Sequence, residues 1–181
     1  NEGNVLPLKK QGKIAVIGPL GKSGRNLYGC WTGNGSSQPN LGIYDAIKEA
    51  VGNNGEVVYA RGSNVFANPD WEAAGQIKNF DVGRDSRSAE DMIKEAVEVA
   101  KNSDVVIATL GELTDMTGES QSRADLEMPD VQRDLFKALL KTGKPVVLLY
   151  ITGRPVAMRW EKANAPVIVE TWHGGTEAAH A

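Results

Sequence analysis

The residues best suited to chemistry lie in one polar stretch, Gly111-Glu112-Leu113-Thr114-Asp115-Met116-Thr117-Gly118-Glu119-Ser120-Gln121-Ser122-Arg123-Ala124-Asp125-Leu126-Glu127-Met128. Carboxylates on a loop are suited to general acid/base work when partial burial keeps one of them protonated near neutral pH. Glu119, between Gly118 and Ser120, is the one a mobile loop would present. Arg123 is near enough in the chain to pair with a carboxylate or to grip a substrate hydroxyl. The plainer alternative is a solvated acidic loop with no chemistry.

A second candidate is Tyr28-Gly29-Cys30-Trp31-Thr32-Gly33-Asn34-Gly35. An indole held between glycines in a polar loop has little to bury against. It can stack on the apolar face of a sugar while neighbouring amides and hydroxyls take the ring hydroxyls, or it can fold back onto the domain. A third stretch, Gly18-Pro19-Leu20-Gly21-Lys22-Ser23-Gly24, suggests a phosphate cradle but fails the test of spacing. The P-loop pattern would put its first glycine on Val16, inside a strand, and Gly18 and Gly21 stand three apart where a dinucleotide fingerprint needs two. His173 and His180 are too few for a metal cluster, and no serine sits in a nucleophile elbow. No metal and no cofactor are expected. Arg154 either supports a loop carboxylate or caps a strand end.

Elements that position these residues alternate along the chain. Short β-branched runs at 13–18, 56–60, 104–111, 144–151 and 166–170 read as strands. Between them lie helical periods. Ile43, Ile47 and Val51 share one face, as do Met92, Ala96 and Val99, and Val131, Leu135 and Leu139. Ser88 with Asp91 three residues on predicts a capped helix start, and Gly143 a helix stop. A short helix follows Arg154-Pro155, and His173–Glu177 turns toward one more. Residues 62–86, with Trp71 and Phe80, read as a decorated loop. Near-continuous Val, Ile and Leu in the strands means burial on both faces. The expected fold is α/β, a three-layer α/β/α sandwich around a mainly parallel sheet of five or six strands. Ligands on such sheets bind beyond the carboxyl ends of the strands, which selects loops 18–37, 111–128 and 171–177 and predicts Trp31 and Glu119 at one end.

The chain of 181 residues suits a single domain, 1–181, and its 41% hydrophobic and 24% charged content is ordinary for one. A net charge of -3 gives no reason to expect a nucleic-acid or anionic-membrane partner. The longest apolar run, 145–151, is far short of a bilayer span. The single cysteine, Cys30, excludes an internal disulfide and a cysteine-built metal site. Asn34-Gly35-Ser36 fits a glycosylation sequon, a pattern common by chance.

Several stretches together resemble the second, C-terminal α/β-sandwich domain of family 3 glycoside hydrolases of the bacterial periplasmic β-glucosidase kind. Asn4-Val5-Leu6-Pro7-Leu8 looks like the exit from a barrel linker, Lys13–Pro19 like the first strand, and Tyr28-Gly29-Cys30-Trp31 like the family's Gly-x-Trp loop. Gly118–Leu126 resembles the acid/base loop. Thr142–Leu148, Gly153-Arg154-Pro155 and Glu170–Glu177 follow in the family's order. The resemblance implies that Glu119 is the general acid/base and that Trp31 clamps the sugar; Arg123, from its place in the same loop, is expected to bind substrate. It implies a retaining β-glucosidase-type hydrolase acting on terminal β-linked sugars, periplasmic or secreted. Its partners would be a carbohydrate and an N-terminal TIM-like barrel of the same polypeptide, which carries the nucleophilic Asp and is absent from residues 1–181. The chain on its own is therefore expected to be an inactive part of an enzyme. A non-catalytic sugar-binding module and a nucleotide-binding, flavodoxin-like module are the alternatives. Relatives often carry an aromatic where His173 stands, which leaves that residue without an assigned role.

Overall fold

The computed structural model of the chain describes residues 1–32, 41–69 and 82–181. The sequon at Asn34, and Trp71 and Phe80, lie outside the described residues. Five strands, β1 (Gly12–Ile17), β2 (Gly55–Ala60), β3 (Val105–Gly111), β4 (Val146–Ile151) and β5 (Val167–Glu170), form one sheet in the order β2-β1-β3-β4-β5. Every pairing is parallel. Four helices are described: α1 (Ile43–Val51), α2 (Ala89–Lys101), α3 (Asp130–Leu140) and α4 (Arg159–Asn164).

Parallel neighbours need a crossover between them, and these helices supply it. Ala96 and Ala100 of α2 and Leu135, Phe136 and Leu139 of α3 pack with Ala15, Val106, Leu110, Leu148 and Tyr150 of the sheet. Met158 and Trp160, at the start of α4, border the same cluster. Ile43, Ile47 and Val51 of α1 cover the opposite face with Ile14, Ile107 and Ile151. The expected α/β/α sandwich is therefore present, with five strands among the described residues.

Local expectations hold with informative exceptions. Ser88 caps α2: its Oγ accepts from the Asp91 amide at 3.0 Å and donates to the Asp91 carboxylate at 2.7 Å. The fully covered stripe of α2 is Met92, Ala96 and Ala100, with Val99 only half-buried. On α3 the buried stripe starts with Gln132 rather than Val131. The expected last helix is a single 3-10 turn at Gly175–Glu177.

Register decides what meets at the carboxyl edge. Gly111 pairs with Ile151, so β3 and β4 end level and Glu112 and Thr152 emerge side by side. The last β1 residue, Ile17, pairs with Ala108, so β3 runs on past β1 and leaves its end open to the loop that follows β1. Gln132 seals that end. Its Oε1 accepts from the Gly111 amide at 2.8 Å, and its Nε2 donates to the Gly111 carbonyl at 2.9 Å and to the Val65 carbonyl at 3.1 Å. A buried amide thus does the work of a further strand at the point where β3 runs out of partners. Gln132→Leu keeps the volume and leaves those backbone groups unpaired, so it should lower unfolding stability by about 2–4 kcal/mol in urea titration. A change below about 1 kcal/mol would mean that these bonds do not constrain the strand end.

Candidate functional site

In a sheet of order 2-1-3-4-5 the chain reverses its direction of growth between β1 and β3, and the loops leaving those two strands part to form a crevice. Here those loops are 18–32 and 112–128. They enclose a cleft of about 440 Å³ lined by Arg25, Cys30, Trp31, Asp115, Glu119 and Gln121, among others. Trp31 and Glu119 therefore lie at the same end of the sheet and on one cleft, as the strand-end rule predicts. Trp31 is 73% exposed, its indole not folded onto the domain. Glu119 is exposed too.

The two loops approach closely because of Gly118. Its φ is +103°, and a Cβ there would lie 2.7 Å from Cys30 Sγ and 3.8 Å from the indole nitrogen of Trp31. Any other residue would push the Glu119 tip away from the Cys30–Trp31 turn. Ser120, on the other side of Glu119, also has a positive φ of 63°, a conformation that costs energy in a non-glycine residue and gathers at functional turns.

Beneath the tip the loop rests on buried polar groups. Glu112 is 0% exposed. Its Oε1 lies 2.6 Å from Arg123 Nη1 and 3.3 Å from Arg154 Nε, the latter an ion pair without the alignment of a hydrogen bond. Its Oε2 accepts from the Thr152 hydroxyl at 2.7 Å. Arg123 Nη2 donates to the Glu127 carbonyl at 3.0 Å. Arg123 thus faces the support of the loop, and it lines a neighbouring, more apolar cleft of about 420 Å³ with Phe66, Met128 and Pro129. The structure brings Trp31 and Glu119 together and does not bring Arg123 into their cleft.

Asn26, also fully buried, ties the loops to one another. Its Oδ1 accepts from the Thr114 amide at 2.8 Å and its Nδ2 meets Ser23 Oγ at 2.5 Å. Its carbonyl lies 2.8 Å from His173 Nδ1 and accepts from the Thr114 hydroxyl at 3.3 Å. A carbonyl can only accept, so Nδ1 carries the hydrogen, and Nε2 is left buried with no hydrogen-bond partner among the described residues. Burial pushes the His173 pKa down, against smaller upward pulls from the Asn26 carbonyl and the Glu112 charge. Burial likewise raises the Glu170 pKa, a shift the Trp172 amide reduces and Glu112 increases. Sequence reasoning missed Asn26 altogether. Nothing in Arg25-Asn26-Leu27 distinguishes it from an ordinary turn residue.

The loop after β1 is not an anion cradle. Its Gly21 and Ser23 amides close turns onto the Gly18 and Leu20 carbonyls, and Lys22 lies over the rings of Tyr44 and Tyr59 at 4.9 and 4.5 Å. Among the described residues no three His, Cys, Asp or Glu side chains are grouped to hold a metal ion.

A doubly wound parallel sheet with an exposed indole and carboxylate on one polar cleft at its switch point defines an α/β domain whose cleft lies where such sheets bind ligands. The chain belongs to glycosyl hydrolase family 3, as its C-terminal domain, whose family model matches residues 1–181. It is 41% identical over its full length to a "Periplasmic beta-glucosidase" of Salmonella typhimurium and covers 24% of that protein. It is 35% identical over 187 aligned residues to a "Beta-xylosidase" of Formosa agariphila, covering 23% of it. The crystal structure of a beta-glucosidase from Listeria innocua in complex with glucose superposes with a TM-score of 0.77 at 28% identity, over 99% of this chain and 21% of that one. The chain thus spans about a quarter of the length of the curated relatives it matches, and in them the corresponding segment is one part of a longer enzyme.

Two outcomes follow for the domain itself. Glu112→Gln removes the charge that Arg123 and Arg154 share and should cost about 3–5 kcal/mol of unfolding free energy, whereas Glu119→Gln should leave the urea midpoint where it is. His173 has a folded-state pKa below the imidazole norm, so the unfolded chain binds the proton more readily. Its contribution to stability is complete above about pH 6.5 and falls as pH drops below that value. The urea midpoint should therefore fall further between pH 7.5 and 5.5 for the wild type than for His173→Phe. Equal slopes would remove His173 from the account.

Proposed function

We propose that this domain supplies the general acid/base and one wall of the sugar site in a retaining glycosidase that acts on terminal β-linked glucosides or xylosides. The observation that carries the reading is the shared cleft of Trp31 and Glu119 at the switch point, in a chain of this family. The similarity to a periplasmic beta-glucosidase supports a periplasmic or secreted enzyme.

In this mechanism the nucleophilic carboxylate belongs to a barrel domain elsewhere in the same polypeptide. It attacks the anomeric carbon as the glycosidic C–O bond breaks, and Glu119 gives its proton to the departing oxygen. The glycosyl-enzyme is then attacked by water, whose proton Glu119 takes back, and the sugar leaves with retained configuration. Two carboxyl groups about 5–5.5 Å apart are needed across the bond. Dividing them between two domains lets a cleft close on the sugar from both sides. Trp31 would stack on the sugar's apolar face, with Arg25, Asp115 and Gln121 offering polar contacts beside it. Arg123 enters first as a support of the loop, since a sugar hydroxyl would have to compete for groups held by Glu112 and the Glu127 carbonyl.

The test is Glu119→Ala in the complete enzyme. It should slow alkyl glycosides by about 10²–10⁴-fold. With an activated aryl glycoside the leaving group departs unprotonated, the glycosyl-enzyme accumulates, and azide should restore turnover by attacking it without a base. Equal losses on both substrates with no response to azide would refute the assignment.

A further inference from the structure

We infer that Arg154 is the positioning residue of the acid/base loop, an inference that rests on the reading of Glu119 given above. Its Nη2 donates to the carbonyls of Met116 and of Gln121, the latter at 2.9 Å. Those residues stand on either side of Glu119, three before and two after it. One planar head thereby closes the segment that carries the carboxylate into a ring and fixes the distance between its two ends.

Arg154 can act as a clamp because it is itself immobilised from β4. Its backbone amide donates to the Thr152 hydroxyl at 3.1 Å, and that hydroxyl holds Glu112 Oε2. Glu112 in turn lies beside Arg154 Nε and is anchored by its own amide to the Ile151 carbonyl at 2.8 Å. The Arg154 side chain is only 18% exposed, so solvent does not compete strongly for its donors. Bonds within the loop, from the Thr117 amide to the Thr114 carbonyl and from the Gln121 amide to the Gly118 carbonyl, shape each half separately. Arg154 joins the halves. Glu119 is exposed at the tip, so its place in the cleft follows from this backbone rather than from packing of its own side chain. Lysine would keep a charge, but its single nitrogen cannot stand beside Glu112 and reach both carbonyls at once, as the rigid guanidinium does with Nε and Nη2.

The experiment compares Arg154→Lys with Glu119→Ala and the wild type in the complete enzyme, with concentrations set by active-site titration with a fluorinated glycoside. Each is assayed on a methyl and a dinitrophenyl glycoside, with and without azide. Arg154→Lys should retain the cooperative thermal transition and lose about 10–100-fold in kcat on the methyl glycoside, as expected for misplacement of a catalytic group by a fraction of an ångström to an ångström. KM should change by less than about threefold, and azide should raise turnover of the dinitrophenyl glycoside, as in Glu119→Ala. Should the lysine variant not fold, Arg154→Gln is measured in the same way, since its shorter, uncharged side chain cannot stand beside Glu112 and reach both carbonyls at once. A loss equal on both substrates and indifferent to azide, or no loss, overturns the inference. If Glu119→Ala itself lacks the leaving-group and azide signature, the assignment of Glu119 fails first. If Glu119→Ala shows the signature and neither Arg154 variant does, only the role of Arg154 fails.

Discussion

A carboxylate with no contact with water has to be matched by positive charge, and this domain is arranged around one such group. Glu112 is the first residue after β3, and its carboxylate lies between Arg123, Arg154 and the Thr152 hydroxyl. Desolvating an ion costs several kcal/mol, recovered only when geometry and hydrogen bonds are good. The requirement therefore runs outward from Glu112. Arg123 has to return to it from the far side of the loop, and Arg154 from the end of β4. A second buried carboxylate extends the system. Glu161 of α4 holds Arg133 Nε at 3.0 Å, Arg133 holds the Glu127 carboxylate at 2.7 Å, and the Glu127 carbonyl holds Arg123. The start and end of the 112–128 loop are thus fixed to β4 and α4 by charge, while its tip stays in solvent.

The hydrophobic core could not do this. Burial of Leu135, Phe136, Leu148 and their neighbours, worth about 1.5–3 kcal/mol per side chain, secures helices against the sheet but has no preferred direction for the loops at its edge. Direction comes from polar groups of fixed geometry at the strand ends. Gln132 closes β3, Asn26 fastens the loop after β1 to the loop after β3 and to the segment after β5, and the level ending of β3 and β4 sets Glu112 beside Thr152. Each bridges elements distant in sequence. Together they open the crevice of the switch point between Trp31 and Glu119.

This division explains what could be read from the sequence. Strands and helices follow from local periodicity, so the five strands, the Ser88 cap and the choice of the loops after β1 and β3 were legible, as was the pairing of Trp31 with Glu119 at one end. The family resemblance, carried by motifs in order, was legible too. Polar contacts across 21 to 147 residues were not. The helical period selected Val131 rather than Gln132 for the buried stripe, and the burial of Gln132 follows from the unpaired end of β3, a tertiary fact. Arg123 was legible as a residue able to pair with a carboxylate or grip a hydroxyl, but neither its pairing with Glu112 nor the burial of that carboxylate was, because burial of a charge shows only once its partners are placed. Arg154 was legible as one of two roles, support of a carboxylate or a strand cap. It fulfils the first for Glu112, and it also grips loop carbonyls, which no residue-type argument addresses.

The contrast between a fixed base and an exposed tip bears on how the proposed active site would be completed. A group that donates a proton to a leaving oxygen and later recovers one from water works best in a partly desolvated setting, where electrostatic interactions are strengthened. Glu119 and Trp31 both face solvent in this domain. On the proposed role of Glu119, the desolvation would come from the sugar and from whatever surface closes over the cleft. A rigid base suits that arrangement. If the loop were free at both ends, closing the cleft would have to order its backbone at about 1–2 kcal/mol per residue, and binding energy would be diverted from the transition state. With residues 116 and 121 already gripped by Arg154, closure would have only the short segment around Glu119 to order, and on the proposed reading the carboxylate would meet its substrate in a place set in advance.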